Sequence, residues 1–403
     1  MRGIGLIDNL NGVAEFRERR LPESSASEWM TAVGGNTGNV AFVHGSIISI
    51  GAKTTSIGWG SDPKKVRERC DRLVVACANQ LGAHVDLGKW AERLKAFDLP
   101  VTLVGIGIQT TDYEKEISLP EGSYRFLEVV KQLRFTSDAA NIGVRGQLTK
   151  AFLARRGIAS YVIGCPSLFI ARRERLGDVL RASCRRLPKK IAIAAGNPWH
   201  GATCSLEETL AEIVDKHRGA YIIQHPEAML KILLGETRDI LPQTMAQCVR
   251  AYGGRFNVNS LVEWYRENAY AFADVGSWMQ FLRKFDRILG PRFHGVVLGI
   301  QTGIPGYVIH IDNRTKELCD ATMIKNFGAS DLIERSLDEL ISLTNWNGSD
   351  IEKFERRRVQ NAGAFVDLLK GNEIDPSEHL CALSRQEGLS LGAAGDTDDR
   401  SHA

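Results

Sequence analysis

A cation set against the start of a helix occurs twice in this chain, with the same local pattern each time. Around Arg145-Gly146, an apolar run ending at Val144 leads into the helical stretch QLTKAFLARR, then Gly157-Ile158 and a further apolar run. Around Arg292-Phe293-His294-Gly295, a run ending near Leu289 leads into VVLGIQT, then Gly303-Ile304-Pro305 and another run. Free N–H groups and the helix dipole favour an anion at such a position, and a glycine lets it approach the backbone. Arginine adds a fork suited to carboxylate or phosphate. Two such sites facing each other would suit a small dianion carrying both groups. Either arginine read alone could instead be structural, bonding carbonyls or a carboxylate of the fold. His294, beside Arg292, adds a group able to give or take a proton near neutral pH.

His200, in AAGNPWHG, and His225, in IIQHPE, each follow an apolar run and are further candidates for the same cleft. His44 and His310 lie within apolar runs and read as core histidines. Trp59 in GWGSDP and Trp199 in NPWHG fall in predicted loops, where an indole face can stack on a sugar ring or pack locally. No metal site is expected, because His200 and Cys204 have no second pair at ligand spacing. Cys165 in IGCPS has no identifiable base beside it and reads as a packed thiol. GIGIQT, from Gly105 to Thr110, lacks the third glycine of a dinucleotide fingerprint, so no nicotinamide or other cofactor is expected.

These residues need elements to hold them. The chain has 403 residues, 43% hydrophobic and 25% charged, which suits two to three domains of roughly 150 residues each. RLVVACA from Arg72, VTLVGIG, NIGVR and YVIG read as buried strands, separated by the helical LGKWAERLKAF and YRFLEVVKQLRF. A basic stretch from Ala171 to Lys190 breaks the rhythm, which KIAIAAG, AYIIQ, RFNVN, DRILG and GYVIHI then resume. Ser205 with Glu208, and Ser277 with Gln280, predict capped helix starts. The fold class is therefore α/β: two Rossmann-like, doubly wound domains with a cleft between them, ligands binding outside the strand C-termini. The expected division is an N-terminal extension at 1–28, domains at 29–187 and 188–345, a helical segment at 346–383 and a disordered tail at 384–403.

With 51 basic and 48 acidic residues the net charge is only +3, which argues against a nucleic-acid binder. The most apolar stretch, Gly295 to Ile311, is interrupted by Gln301, Thr302, Gly303 and Pro305, and MRGIGLIDNLNG makes a poor signal peptide. Eight cysteines without a C-x-x-C pair read as reduced thiols. The expected address is cytoplasmic. The basic stretch serves either as a solvated linker or as a peripheral contact with anionic headgroups at the inner face of the membrane.

From about Gly34 to Lys316 the sequence resembles the polysaccharide pyruvyl transferase family. The resemblance rests on GGNTGN, ANQLG, VGIGIQ, IGVRG, IGCPS and GPRFHG, the last followed by GIPGYVIHIDNRTK. It implies two GT-B-like domains, phosphoenolpyruvate as co-substrate and a glycan or lipid-linked oligosaccharide as acceptor, with a pyruvate ketal and phosphate as products. Matched position by position, it implies donor binding by Arg145, Arg292 and Lys316 and catalysis by His294, and it adds Asn36 and Asn39 as cleft candidates. Asn39 stands where the family's G-N-x-G-D element carries an aspartate. Two alternatives remain at this level. One is a sugar-nucleotide glycosyltransferase of the same architecture, for which Glu227 is the nearest ribose-binding carboxylate. The other is a non-catalytic member, for which Asn39 is the argument. Oligomeric state is not legible.

Overall fold

The computed structural model describes residues 3–11, 24–109 and 117–386. Two parallel six-stranded sheets form, each strand fed by a helical crossover. The first sheet takes β1 (Gly3–Ile7), β2 (Thr54–Ser56), β3 (Cys70–Ala76), β4 (Val101–Ile106), β5 (Ile142–Val144) and β6 (Tyr161–Val162) in the order β2-β1-β3-β4-β5-β6. The second takes β7 (Ile191–Ala194), β8 (Ala220–Ile222), β9 (Ala269–Tyr270), β10 (Arg287–Gly290), β11 (Gly306–His310) and β12 (Asn326–Gly328) in the order β12-β11-β10-β7-β8-β9. Strands such as β4 and β7 are buried on both faces, so they are nearly continuous apolar runs rather than alternating ones. In the second sheet the chain moves outward from β7 to β9 and restarts at β10 on the other side of β7. That reversal opens a crevice at the strand C-termini.

Seven helices matter below: α1 (Asn39–Ser49), α2 (Gln147–Ala154), α3 (Leu176–Cys184), α4 (Glu207–Lys216), α5 (Phe293–Thr302), α6 (Asn313–Thr322) and α7 (Gly348–Gly371). One apolar core crosses the domain boundary, gathering Phe42 and Val43 of α1, Leu168, Val296 and Val297 of α5, and Leu368 of α7. Two further clusters serve the outer faces of the individual sheets. The long α7 runs back from the second domain onto the first. Its buried Arg358 donates to the carbonyls of Leu168, Ala171 and Arg173 at 3.2, 3.2 and 3.1 Å.

Several expectations need correction. Within the expected N-terminal extension at 1–28, Gly3–Ile7 is an inner strand of the first sheet, between β2 and β3. RFNVN is not a strand: Asn257 caps a helix beginning at Val258, and the strand in this part of the chain is the two-residue β9. The basic stretch is not a plain linker but contains α3, and Arg287 bonds the carbonyls of Ser183 in its last turn and Arg186 just beyond it. Ser205 does not cap α4, which starts at Glu207 without a side-chain cap, and Asp274 rather than Ser277 caps the helix Val275–Leu282. Residues of the expected tail from 387 onward lie outside the described residues. Among the described residues no helix is long and apolar enough to cross a membrane.

Candidate active site

At the C-terminal ends of both sheets lies a cleft of about 680 Å³ that draws its lining from both domains. Its floor is where two helix starts meet. The loop Gly34 to Gly38 turns through positive φ at Gly34 (+64°) and Gly35 (+80°), a conformation that favours glycine, before α1 begins. This loop is bound across the domain boundary, with Thr37 N donating to the Gln224 carbonyl at 3.1 Å. From the other side β10 ends and α5 begins, with Arg292 at the N-cap and no side chain capping the helix. The Gln224 amide is wedged between the two starts. A Cβ on Gly38 would fall 2.7 Å from its Oε1, and a Cβ on Gly295 2.6 Å from its Nε2. That Nε2 is buried without a hydrogen-bond partner.

Arg292 donates one bond, Nη2 to the His225 carbonyl at 3.0 Å, while its Nε is buried without a partner. Burial, together with the nearby Arg314, lowers its pKa to about 10, so it remains a cation at neutral pH. His225 bonds the Gly35 carbonyl through Nδ1 at 3.0 Å. A carbonyl can only accept, so Nδ1 carries the proton and Nε2 keeps a lone pair. Burial and then Arg292 push the His225 pKa down. His294 lines the cleft in the first turn of α5, where burial, then Arg145 and Arg314, lower its pKa to about 3. Arg145 and Arg314 are thus the cations that act on it, not the neighbouring Arg292.

Over this cleft the sequence comparison decides the matter. The family model for polysaccharide pyruvyl transferase matches residues 36–313. The chain belongs to the polysaccharide pyruvyl transferase family. It is therefore a transferase. No curated protein sequence matches it. Among solved structures it is similar to a putative UDP-N-acetylglucosamine 2-epimerase from Listeria monocytogenes, at 12% identity and TM-score 0.46 over 93% of this chain and 97% of that one. It is also similar to a UDP-GlcNAc 2-epimerase from Methanocaldococcus jannaschii in complex with UDP-GlcNAc and UDP, at 12% identity and TM-score 0.43, covering 88% and 98% of the two chains. The glycosyltransferase SnogD from Streptomyces nogalater follows at 12% identity and TM-score 0.35, covering 90% and 95%.

The pyruvyl transferase family positions do not all reach the cleft. Arg145 does, but its fork is largely occupied: Nε donates to Gly105 O at 2.8 Å, Nη1 to Asn79 Oδ1 at 3.0 Å and Nη2 to Cys77 O at 3.3 Å. The start of α2 beside it is not open to a ligand. Glu317 of α6 sits there, accepting from Thr149 N at 2.8 Å, and a Cβ on Gly146 would lie 2.3 Å from its Cγ. The glycine does admit an anion, but the anion belongs to the protein. Lys316 points away from the cleft, exposed and paired with Asp320 at 2.8 Å. Asp312 caps α6 by accepting from Thr315 N, which turns Arg314 in the first turn toward the cleft and Lys316 away from it. Arg314 pairs with Asp312 at 3.3 Å.

Asn36 and Asn39 both line the cleft, and both hold the glycine loop. Asn36 Oδ1 accepts from Gly38 N at 2.8 Å, while Asn39 Nδ2 donates to the carbonyls of Val33 and Gly34 at 2.9 and 3.1 Å. A carboxylate at 39 could donate neither bond. His200 also lines the cleft. The two tryptophans do not. Trp59 stacks on Trp90 with ring centroids 4.3 Å apart, and Trp199 donates its indole N–H to Thr244 O at 2.7 Å. Cys165 is a buried thiol as expected, but it does have a base beside it, with His294 Nε2 3.5 Å from Sγ.

Sequence reasoning missed Arg314, Gln224 and the lining amides Asn79, Gln80, Gln109 and Asn197. Asp312 three residues before Thr315 is a helix-start signal that would have marked Arg314 as a first-turn cation. It also missed Glu207, fully buried behind the cleft floor and hydrogen-bonded by Tyr221 Oη, its pKa raised to about 7 chiefly by burial. Among the described residues no group of three metal-ligating side chains occurs.

Proposed function

We propose that this chain transfers the pyruvyl group of phosphoenolpyruvate to two hydroxyls of a glycan or its lipid-linked precursor, giving a pyruvate ketal and phosphate. The observation that carries the reading is Arg292, a cation at an uncapped helix start whose buried Nε has no protein partner. Buried donors are rarely left unbonded, and a carboxylate or phosphate oxygen is the natural acceptor here. Arg314 supplies a second charge, and Arg145 adds its field while its hydrogen bonds stay within the first domain.

The bound dianionic donor favours the imidazolium, so His294 takes up a proton as the donor binds. It then protonates the donor's methylene carbon, and the first hydroxyl oxygen bonds to the cationic carbon beside it. The second hydroxyl oxygen then displaces phosphate at that same carbon. Of the two hydroxyl protons, one replaces the proton lost by His294 and one leaves with phosphate. His225, with Nδ1–H held by Gly35, offers Nε2 as the base for a hydroxyl. A neutral, amide-rich wall built from Asn36, Asn79, Gln80, Gln109 and Asn197 suits sugar hydroxyls, which both donate and accept.

The glycosyltransferase alternative loses its carboxylate, because Glu227 is paired with Lys231 at 3.0 Å on the surface of its helix. The exposed loop around Leu187 precedes β7, at the end of the sheet opposite the cleft, so a headgroup held there would not be presented to the donor site. The test is a melting-temperature panel with phosphoenolpyruvate and several nucleotide sugars, followed by phosphate release in the presence of glycan acceptors. Protection by a nucleotide sugar and not by phosphoenolpyruvate overturns the proposal.

A further inference from the structure

His294 of the second domain meets Cys165 of the first, and the contact has a direction. Cys165 follows β6, and its thiol is buried near Arg145, with Ser167 Oγ at 3.0 Å and His294 Nε2 at 3.5 Å in hydrogen-bond reach. The Ser167 hydroxyl donates to Sγ, so the sulfur's accepting side is already engaged. The thiol keeps one proton of its own, and the imidazole nitrogen is the acceptor in reach. Were Nε2 the donor instead, the sulfur would accept from both of these neighbours and its own S–H would bond neither. At the opposite edge of the ring, Nδ1 looks toward Gly38, where a Cβ would lie only 3.1 Å away.

We propose that Cys165 is a positioning residue that donates its S–H to Nε2 and thereby fixes His294 as the Nδ1–H tautomer, with that proton facing the glycine loop and the cleft. Its consequence for turnover rests on the reading that His294 acts on the bound donor, but the tautomer itself does not. Before the donor binds, burial and the fields of Arg145 and Arg314 hold the ring neutral, so a single proton sits on one of its two nitrogens. Which nitrogen is protonated follows from the hydrogen bond the other makes. The residue holding His294 in orientation therefore comes from the opposite domain, so the acid is correctly set only when the two domains are packed together.

The experiment is nitrogen NMR on full-length protein labelled at histidine, without ligand, the His294 signals being assigned by their loss in His294→Gln. The wild type should show a protonated Nδ1 and a bare Nε2. Cys165→Ala should shift His294 toward the Nε2–H form, and Ser167→Ala, which frees the sulfur to accept, should give a mixture. A wild-type signal with Nε2 protonated overturns the proposal without any variant, as does an unchanged tautomer in Cys165→Ala. In phosphate release, Cys165→Ala should lower kcat by about 10- to 100-fold, less than loss of the acid itself, while KM for phosphoenolpyruvate stays within about threefold. If the tautomer is as stated but His294→Gln leaves turnover intact, the functional reading fails and the positioning assignment stands.

Discussion

Arg145 and Arg292 look equivalent in the sequence, yet they are used in opposite ways, and substitutions should separate them. On the proposed reading, Arg292→Ala removes charge-assisted bonds to the donor, worth roughly 1.5–3 kcal/mol, and should weaken phosphoenolpyruvate binding by about one to two orders of magnitude with folding intact. Arg145→Ala strips donors from Gly105, Asn79 and Cys77 and should first lower the melting temperature. Titration calorimetry beside a thermal melt distinguishes the two, and equal loss of binding at constant stability would contradict the assignment. Lys316→Ala should leave donor affinity unchanged, whereas Arg314→Ala should not. His294→Gln should bind phosphoenolpyruvate within about tenfold of wild type and lose roughly 10²–10⁴ in turnover, the usual share of proton transfer. Arg292 and His294 were legible because strand, cation and helix start follow one another directly. Arg145's commitment to the fold was not, since its partners come from strands some 40 and 68 residues away. Asn39 was legible as a departure but not as a donor to two carbonyls. Asn39→Asp should therefore destabilise the glycine loop by about 1–3 kcal/mol rather than restore a base, which a thermal melt would show.

Helices and strands were readable where a single apolar run decided them. VTLVGIG and KIAIAAG are buried on both faces and announce themselves, while β1 carries two glycines in five residues and β9 has only two residues. Their place comes from neighbours: Gly5 of β1 must be glycine because a Cβ would lie 2.6 Å from the Leu73 side chain of β3. Within α7, Arg356, Arg357 and Arg358 read as one charge run, yet Arg358 is wholly buried and holds the carbonyls between Leu168 and Arg173. Arg358→Met keeps the stem but leaves those carbonyls unbonded, at a cost of about 2–4 kcal/mol. Denaturant titration should show a lower midpoint, and Arg356→Met, on the same helix, should show none.

Taken whole, the molecule carries two opposing pH dependences. His294 is pushed down from 6.5 to about 3, so its contribution is present above pH 6.5 and is lost as pH falls, when the unfolded chain takes up the proton first. Glu207 is raised from 4.5 to about 7, so its contribution is full below 4.5 and is lost as pH rises through 7. Glu207→Gln mimics the protonated form, and its stability relative to wild type should grow between pH 5 and pH 8 by up to about 3 kcal/mol. Melts at three pH values check this, and a constant difference would show that Glu207 ionises freely. Glu317 has a mechanical consequence. It belongs to the second domain but serves as the cap of a helix in the first, bonding both Thr149 N and Thr149 Oγ1. Swinging the domains apart would drag a buried carboxylate off its seat and bare a helix end, so this contact resists opening at that corner. Glu317→Ala should release this corner, seen as faster amide exchange at Thr149, and exchange no faster than in the wild type would show that the contact holds nothing.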